Sequence, residues 1–179
     1  MKKGSFKLNI IKDYPQKGIN FIDINPLLQD PTQFAQAVDK FCNAITSSVD
    51  KDTLSQTAIL APEARGFIFG APVASRLRLP MLLIRKKGKI PNRPYSFSIT
   101  NEYTSYDMEV DGDLLENHKK FIYIDDILAT GQTLASVRRA LKAKNKDIVF
   151  SAHLMDVADL KPLRDKNKEL QGLPVEVIL

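Results

Sequence analysis

Apolar residues recur at helical spacing between Pro31 and Val49. They are mostly three or four positions apart, as on one face of an amphipathic helix, and comprise Phe34, Val38, Phe41, Cys42, Ile45 and Val49. Asp30 precedes Pro31, and an aspartate N-cap followed by proline is typical of a helix start. The pattern predicts a helix over this segment with one buried face.

Beyond this helix, short apolar runs alternate with helical segments. The helical segments follow PEARGF, up to Arg76, and run from Thr133 to about Lys144. The apolar runs predict buried strands, and they comprise Thr57–Ala61, Met81–Ile84, Phe121–Ile124, Ile148–Met155 and, less clearly, Val175–Leu179. Strands that alternate with helices require crossover connections, so the pattern predicts an α/β fold with a parallel sheet between helices.

Two segments depart from this alternation. Residues 1–30 mix short apolar stretches with turn residues, whereas residues 86–115 are polar and rich in tyrosine, without a clear period. A long segment of the second kind inside a compact domain usually contains a hairpin or a mobile functional loop. Because the 179 residues contain no repeat and no Gly/Ser linker, we expect a single domain over 1–179.

Composition narrows the class of protein. Cys42 is the single cysteine and cannot form an internal disulfide, which favours a reducing, cytoplasmic compartment. No run reaches the ~18 apolar residues of a membrane span, and no Cys/His cluster has metal-ligand spacing. His153 lies in an apolar strand and is expected to be a core residue. The net charge of +5 favours anionic ligands without choosing between nucleic acids and small phosphates.

The segment FIYIDDILATGQTL, residues 121–134, has the features of a phosphate site. A buried strand leads through a loop with Thr130, Gly131 and Thr133 into a helix. Ligands of parallel α/β sheets bind beyond the carboxyl ends of the strands. Glycine exposes backbone N–H groups there, and the helix N-terminus adds partial positive charge. The segment lacks the lysine of a Walker motif and therefore predicts a monophosphate cradle.

Two adjacent carboxylates, Asp125 and Asp126, end the predicted strand. Acids beside a phosphate would repel it unless they bind hydroxyl groups or a magnesium ion. Ribose 5-phosphate carries a phosphate and vicinal hydroxyls at a suitable separation. The segment therefore indicates a phosphorylated ribose as ligand.

The same segment resembles the phosphoribosyl pyrophosphate signature of type I phosphoribosyltransferases. Further segments resemble the adenine phosphoribosyltransferase branch, in the same order along the chain; they are KGINFIDINPLLQDP, PEARGFIFGAPVA, RKKGKIP and Asn101-Glu102-Tyr103. The resemblance implies a Rossmann-like core with a parallel sheet, a small hood formed by residues 1–30, and a flexible flap formed by residues 86–115. It covers about residues 13–156.

The resemblance also assigns roles to residues. Asp125 and Asp126 would hold the ribose hydroxyls, and Glu102 would lie near the base during catalysis. Three further groups would complete the site: Ala129, Thr130, Gly131, Gln132 and Thr133 around the 5-phosphate; Arg65, Arg85, Lys86 and Lys89 around pyrophosphate; and Asn20, Phe21 and Ile127 around the base. Bidentate guanidinium donors and lysine charges suit a multivalent anion such as pyrophosphate.

The implied reaction transfers the phosphoribosyl group from phosphoribosyl pyrophosphate to adenine, giving AMP and pyrophosphate. The resemblance implies Mg²⁺ as cofactor, held by pyrophosphate and ribose without a direct protein ligand, and a homodimer. Membrane and nucleic-acid partners are not expected.

Two departures from the family pattern leave alternatives open. Ile22 stands where the family usually has arginine after the hood phenylalanine, and Thr104 stands where glycine is usual in the flap. A third, milder departure is Gln132, which replaces a frequent glycine in the phosphate loop. The alternatives are transfer to hypoxanthine, guanine or xanthine, and a non-catalytic phosphoribosyl pyrophosphate sensor that binds nucleic acid.

Overall fold

The computed structural model describes residues 6–14, 16–18, 20–100 and 105–179. The predicted hood begins with two short antiparallel strands, β1 (Asn9–Ile11) and β2 (Phe21–Asp23), and continues into helix α1 (Asn25–Leu28). Glu102 lies outside the described residues, so its predicted role is not tested by the structure.

The first long helix, α2, spans Pro31–Ser48, close to the predicted bounds. The Asp30 carboxylate accepts a hydrogen bond from the N–H of Gln33, which confirms the predicted N-cap. The predicted apolar face is buried at Val38, Phe41 and Ile45. A short helix, α3 (Lys51–Ser55), then leads to the sheet.

The described strands of the core form a mixed sheet around a parallel centre. Its order is β5-β6-β4-β3-β7-β8-β9, and the strands from β4 to β9 in this order pair in parallel. The strands are β3 (Thr57–Pro62), β4 (Met81–Lys86), β5 (Pro94–Thr100), β6 (Ser105–Asp111), β7 (Lys120–Leu128), β8 (Asp147–Asp156) and β9 (Val175–Val177). Every residue of β3 is buried, as expected for a central parallel strand.

Helices cover both faces of the sheet. On one face, α2 and α4 (Arg65–Leu77) pack against Ile122 and Ile124 of β7. On the other face, α6 (Gln132–Lys142) packs against Phe121 and Tyr123, whose side chains alternate with the first pair along the strand. The predicted layering of helices around a parallel sheet is confirmed.

The sequence predicted either a hairpin or a mobile functional loop in residues 86–115, and the structure contains a hairpin there. Strands β5 and β6 pair antiparallel, and β6 pairs antiparallel with the end of β4. Tyr95 anchors the hairpin to α6, because its hydroxyl donates to the carbonyl of Ala140 at 2.8 Å. Helix α5 (Gly112–Glu116) follows it. The predicted mobility of this flap stays a prediction.

The strand that carries the aspartates is longer than predicted. The apolar run suggested an end at Ile124, but β7 continues to Leu128, because Asp125 and Ile127 remain paired with His153 and Met155 of β8. The chain closes with α7 (Lys161–Asp165) and β9. None of the described helices has the length and apolar character needed to span a membrane.

Candidate active site

A cavity of about 720 Å³ opens at the carboxyl ends of β3, β4 and β7. Seven of the predicted site residues line it: Arg65, Lys86, Asp125, Asp126, Ile127, Ala129 and Thr133. Residues far apart in sequence therefore meet where parallel α/β sheets bind ligands.

Asp126 is buried, with only 3% of its surface exposed. Its Oδ2 lies 2.8 Å from Nε of Arg65, the first residue of α4, but the angle is not that of a hydrogen bond. Burial raises the pKa of Asp126, and the Arg65 charge opposes this shift. Arg65 therefore supplies a positive charge beside this buried oxygen, and Asp126 still lines the cavity.

Asp125 projects from the opposite face of β7, because neighbouring strand residues alternate. Its Oδ1 accepts a hydrogen bond from the N–H of Asp126, and its Oδ2 accepts one from the Tyr123 hydroxyl at 3.2 Å. Burial, followed by the Asp126 charge, raises the pKa of Asp125 well above its usual range. Burial also raises the pKa of Tyr123, so its hydroxyl stays protonated and donates.

The predicted phosphate loop leads directly into α6. Gly131 is the N-cap of this helix with φ of +75°, a backbone conformation that favours glycine, and no side chain caps the helix. The first N–H groups of a helix have no intrahelical partners, and they carry its partial positive charge. Thr130, Gly131, Gln132 and Thr133 also line a second cavity of about 80 Å³, between the loop and Tyr123.

The predicted pyrophosphate residues form two groups. Arg65 and Lys86 line the large cavity. Arg85 and Lys89 instead pair with Glu63, whose carboxylate lies 3.6 Å from Nε of Arg85, in contact with Nζ of Lys89, and also accepts from the N–H of Lys86. The Lys89 hydrogen bond is the main cause that lowers the pKa of Glu63. Glu63 therefore neutralises part of the charge of the basic segment.

The hood contacts this site through Arg65. The Arg65 guanidinium lies over the Phe21 ring at 5.4 Å and donates to the Ile22 carbonyl at 3.2 Å. Tyr14 packs edge-on against Phe21, whereas Asn20 is exposed. The Ile22 side chain is buried, at 9% exposure. A cation thus lies beside Phe21 although the hood itself has isoleucine at position 22.

The sequence analysis did not predict several residues that lie near the cavity. Glu63 lies in the segment PEARGFIFGAPVA, in which the sequence analysis assigned a role only to Arg65. Tyr123 could have been found from its spacing, since it lies two residues before Asp125 and shares its face. Lys87 directly follows β4, whereas Tyr106 and Asp107 reach the cavity only because the hairpin folds back beside β4.

His153 is a core residue, as predicted. It is buried, its Nε2 lies 2.7 Å from Oγ of Ser151, and burial lowers its pKa to about 3. Within the described part of the chain, no group of three or more His, Cys, Asp or Glu side chains could hold a metal ion. The carboxylates that do face the cavity suit hydroxyl donors or a shared Mg²⁺ ion.

Comparison with known proteins decides the family. Residues 28–175 match the family model described as the phosphoribosyl transferase domain. The chain belongs to the phosphoribosyltransferase family. It is 39% identical over 176 residues to the adenine phosphoribosyltransferase of Desulforamulus reducens, covering 98% of this chain and 96% of the relative. It is 35% identical over 169 residues to the adenine phosphoribosyltransferase of Thermotoga neapolitana, covering 94% of both.

Solved structures agree with the sequence relatives. The adenine phosphoribosyltransferase of Thermoanaerobacter pseudethanolicus superposes with a TM-score of 0.82 at 31% identity, covering 96% of this chain and 94% of that one. The Saccharomyces cerevisiae enzyme, complexed with adenine and an imino-altritol bisphosphate, gives 0.80 at 26% identity with the same coverage. The predicted α/β fold of type I phosphoribosyltransferases is confirmed.

Proposed function

We propose that this chain transfers the 5-phosphoribosyl group from phosphoribosyl pyrophosphate to adenine, giving AMP and pyrophosphate, in purine salvage. The observation that carries the proposal is the 720 Å³ cavity, where Asp125 and Asp126 lie between a glycine-containing loop and Arg65. The adenine phosphoribosyltransferases among its relatives match nearly the whole chain.

The ribose 5-phosphate part would bind across the end of β7. The 5-phosphate fits the loop of residues 129–133, because the uncapped start of α6 offers N–H donors and partial positive charge. The ribose hydroxyls would donate to Asp125 and Asp126. Both aspartates line the cavity, so their side chains can meet such hydroxyls.

Pyrophosphate would lie toward Arg65 and Lys86, the cations on the opposite wall. Arg85 and Lys89 pair with Glu63 and do not line this cavity. Arg65 would then contact Asp126 through Nε and the anion through Nη2, while its Nη1 donates to the Ile22 carbonyl.

The adenine base would bind between the hood and the end of β7, with Phe21 on one face and Ile127 on the other. The backbone at Asn20 would recognise the edge of the base. Glu102 would position the purine or accept its imidazole proton as the new bond forms. The Arg65 guanidinium over Phe21 fixes that ring close to the cavity.

In the proposed reaction, the bond between C1 of ribose and pyrophosphate breaks, and the purine nitrogen attacks the oxocarbenium-like carbon with inversion. The bond electrons leave with pyrophosphate, and the purine loses its N–H proton. The protein contributes positioning, charge stabilisation and exclusion of water by the flap. Mg²⁺, held by pyrophosphate and the ribose hydroxyls, would neutralise the leaving group.

A four-base assay tests this function. Purified protein is mixed with phosphoribosyl pyrophosphate and Mg²⁺, and adenine, hypoxanthine, guanine and xanthine are offered separately, each with and without excess EDTA. We expect AMP and pyrophosphate in equal amounts from adenine alone, and only without EDTA. Product from a 6-oxopurine would instead assign another purine, and turnover in excess EDTA would exclude the proposed role of Mg²⁺.

A non-catalytic sensor is the second candidate, and the positive charge of the chain is the observation that favours it. Phosphoribosyl pyrophosphate would then bind without product from any base, and binding of nucleic acid would weaken steeply with salt. The adenine phosphoribosyltransferases among the relatives, which match nearly the whole chain, favour the enzyme.

We also propose a homodimer in the cytoplasm. The homodimer follows from the resemblance, in which part of the basic segment at residues 85–91 reaches across the interface. Light scattering should give twice the 20.1 kDa mass of the chain, and a monomer would contradict the proposal. The single buried Cys42 fits a reducing compartment, and cell fractionation tests this location.

A further inference from the structure

Arg164 lies behind the phosphate loop and is buried, with 9% of its surface exposed. It belongs to α7, more than thirty residues beyond the loop in sequence. Its Nη1 donates to the carbonyls of Leu128 at 3.2 Å and Ala129 at 3.0 Å, and its Nη2 donates to Oδ2 of Asp156 at 2.7 Å. One guanidinium therefore ties the start of the loop to the end of β8.

The C-terminal segment also contacts the middle of the loop. A Cβ added to Gly131 would lie 2.6 Å from Cδ1 of Leu170 and 3.3 Å from Cγ of Arg164. Beside this contact, Arg164 and Leu170 line a separate cavity of about 620 Å³. On this side of the loop Arg164 supplies the side-chain donors, and the N–H of Val157 also donates to the Leu128 carbonyl at 3.0 Å.

The two carbonyl contacts fix the direction of backbone donors. A trans peptide is planar, so the N–H of each unit points opposite to its C=O. The Ala129 carbonyl points at Arg164, and the N–H of Thr130 must therefore point away from Arg164. The same holds for the Leu128 carbonyl and the N–H of Ala129. Both N–H groups then face the side on which the 5-phosphate would bind.

We propose that Arg164 is a positioning residue that holds the loop of residues 129–133 in its phosphate-binding conformation. The inference rests on the proposed function, since it concerns the same ligand. Arg164 does not touch the ligand and acts through the backbone of Leu128 and Ala129. Its loss should therefore weaken recognition of the 5-phosphate and leave recognition of pyrophosphate intact.

Arg138 offers a matched control. It is also a buried arginine, and it donates to the Asp147 carboxylate and to the carbonyls of Glu169 and Gln171. These contacts connect α6 with β8 and the C-terminal segment but do not include the loop. Arg138→Met should lower the Tm like Arg164→Met, without the same effect on ligands.

The experiment measures Kd by calorimetry for ribose 5-phosphate and, separately, inorganic pyrophosphate with Mg²⁺. Wild type, Arg164→Met, Arg164→Lys and Arg138→Met are compared, each with its Tm. We expect Arg164→Met to raise the Kd for ribose 5-phosphate about tenfold or more, which is the scale of a lost charge-assisted hydrogen bond. The Kd for pyrophosphate should be unchanged. Arg164→Lys keeps the charge and one donor group, so its Kd for ribose 5-phosphate should lie between those of wild type and Arg164→Met.

The proposal would be overturned if Arg164→Met lost affinity equally for both ligands or lost none for ribose 5-phosphate. It would also be overturned if Arg138→Met lost as much affinity for ribose 5-phosphate. If Arg164→Met does not fold, the same comparison between ligands is decided on Arg164→Lys. A wild-type protein that fails to bind ribose 5-phosphate would instead contradict the proposed function itself, so the two failures are distinguishable.

Discussion

Replacing Asp126 with asparagine should lower kcat for AMP formation by about a hundredfold to a thousandfold, the loss typical of removing one stabilising group from an active site. The carboxylate is buried beside Arg65 and lines the cavity. Asparagine has a similar shape but neither the charge nor the second acceptor oxygen. Steady-state kinetics with adenine and phosphoribosyl pyrophosphate measures the effect.

The fold should survive this substitution. Burial raises the pKa of Asp126, so the ionised carboxylate reduces stability at neutral pH, and a neutral amide should leave the Tm unchanged or higher. Asp107→Asn is the matched control, since Asp107 lines the same cavity but pairs with Lys87. It should change kcat less than tenfold. Wild-type turnover in a folded Asp126→Asn protein would contradict the assignment.

Replacing Gly131 with alanine should raise KM for phosphoribosyl pyrophosphate by more than about tenfold. The new Cβ would lie 2.6 Å from Cδ1 of Leu170, and the φ of +75° is itself unfavourable for alanine. Accommodating this Cβ requires a shift of Leu170 or of the loop, and a shift of the loop displaces the N–H groups at the start of α6. Steady-state kinetics at saturating adenine measures the change.

Gly172→Ala separates the clash from the backbone strain. Gly172 has nearly the same φ, +72°, but a Cβ there meets nothing within 4 Å. The left-handed conformation costs alanine ~1–2 kcal/mol, so the variant should have a modestly lower Tm. Its KM should be unchanged. Equal KM values in both alanine variants and wild type would show that the loop does not need its observed conformation.

The fold was predictable because its signals are local. The Asp30 cap, the helical spacing of α2 and the alternation of apolar runs with helices each act within a few residues. The end of β7 was not predictable, because pairing with β8 carries the strand through polar residues. The hairpin of β5 and β6 was expected only as one of two alternatives, since its polar sequence has no clear period.

The candidate site was predictable where one short segment carries it. Asp125, Asp126 and Gly131 all lie within residues 121–134, and the structure brings them to one strand end. The contacts of Arg164 and Glu63 join distant segments, and no local pattern marks them. Ile22 was expected to remove a cation from the hood, whereas Arg65 of α4 supplies one beside Phe21.

A crystal structure with bound ribose 5-phosphate tests most directly whether the end of β7 is the substrate site. We predict the phosphate within hydrogen-bond distance of the backbone N–H groups of residues 129–133, and the ribose hydroxyls on Asp125 and Asp126. Ribose 5-phosphate in the cavity beside Lys161 and Arg164, or with its hydroxyls away from both aspartates, would contradict this assignment.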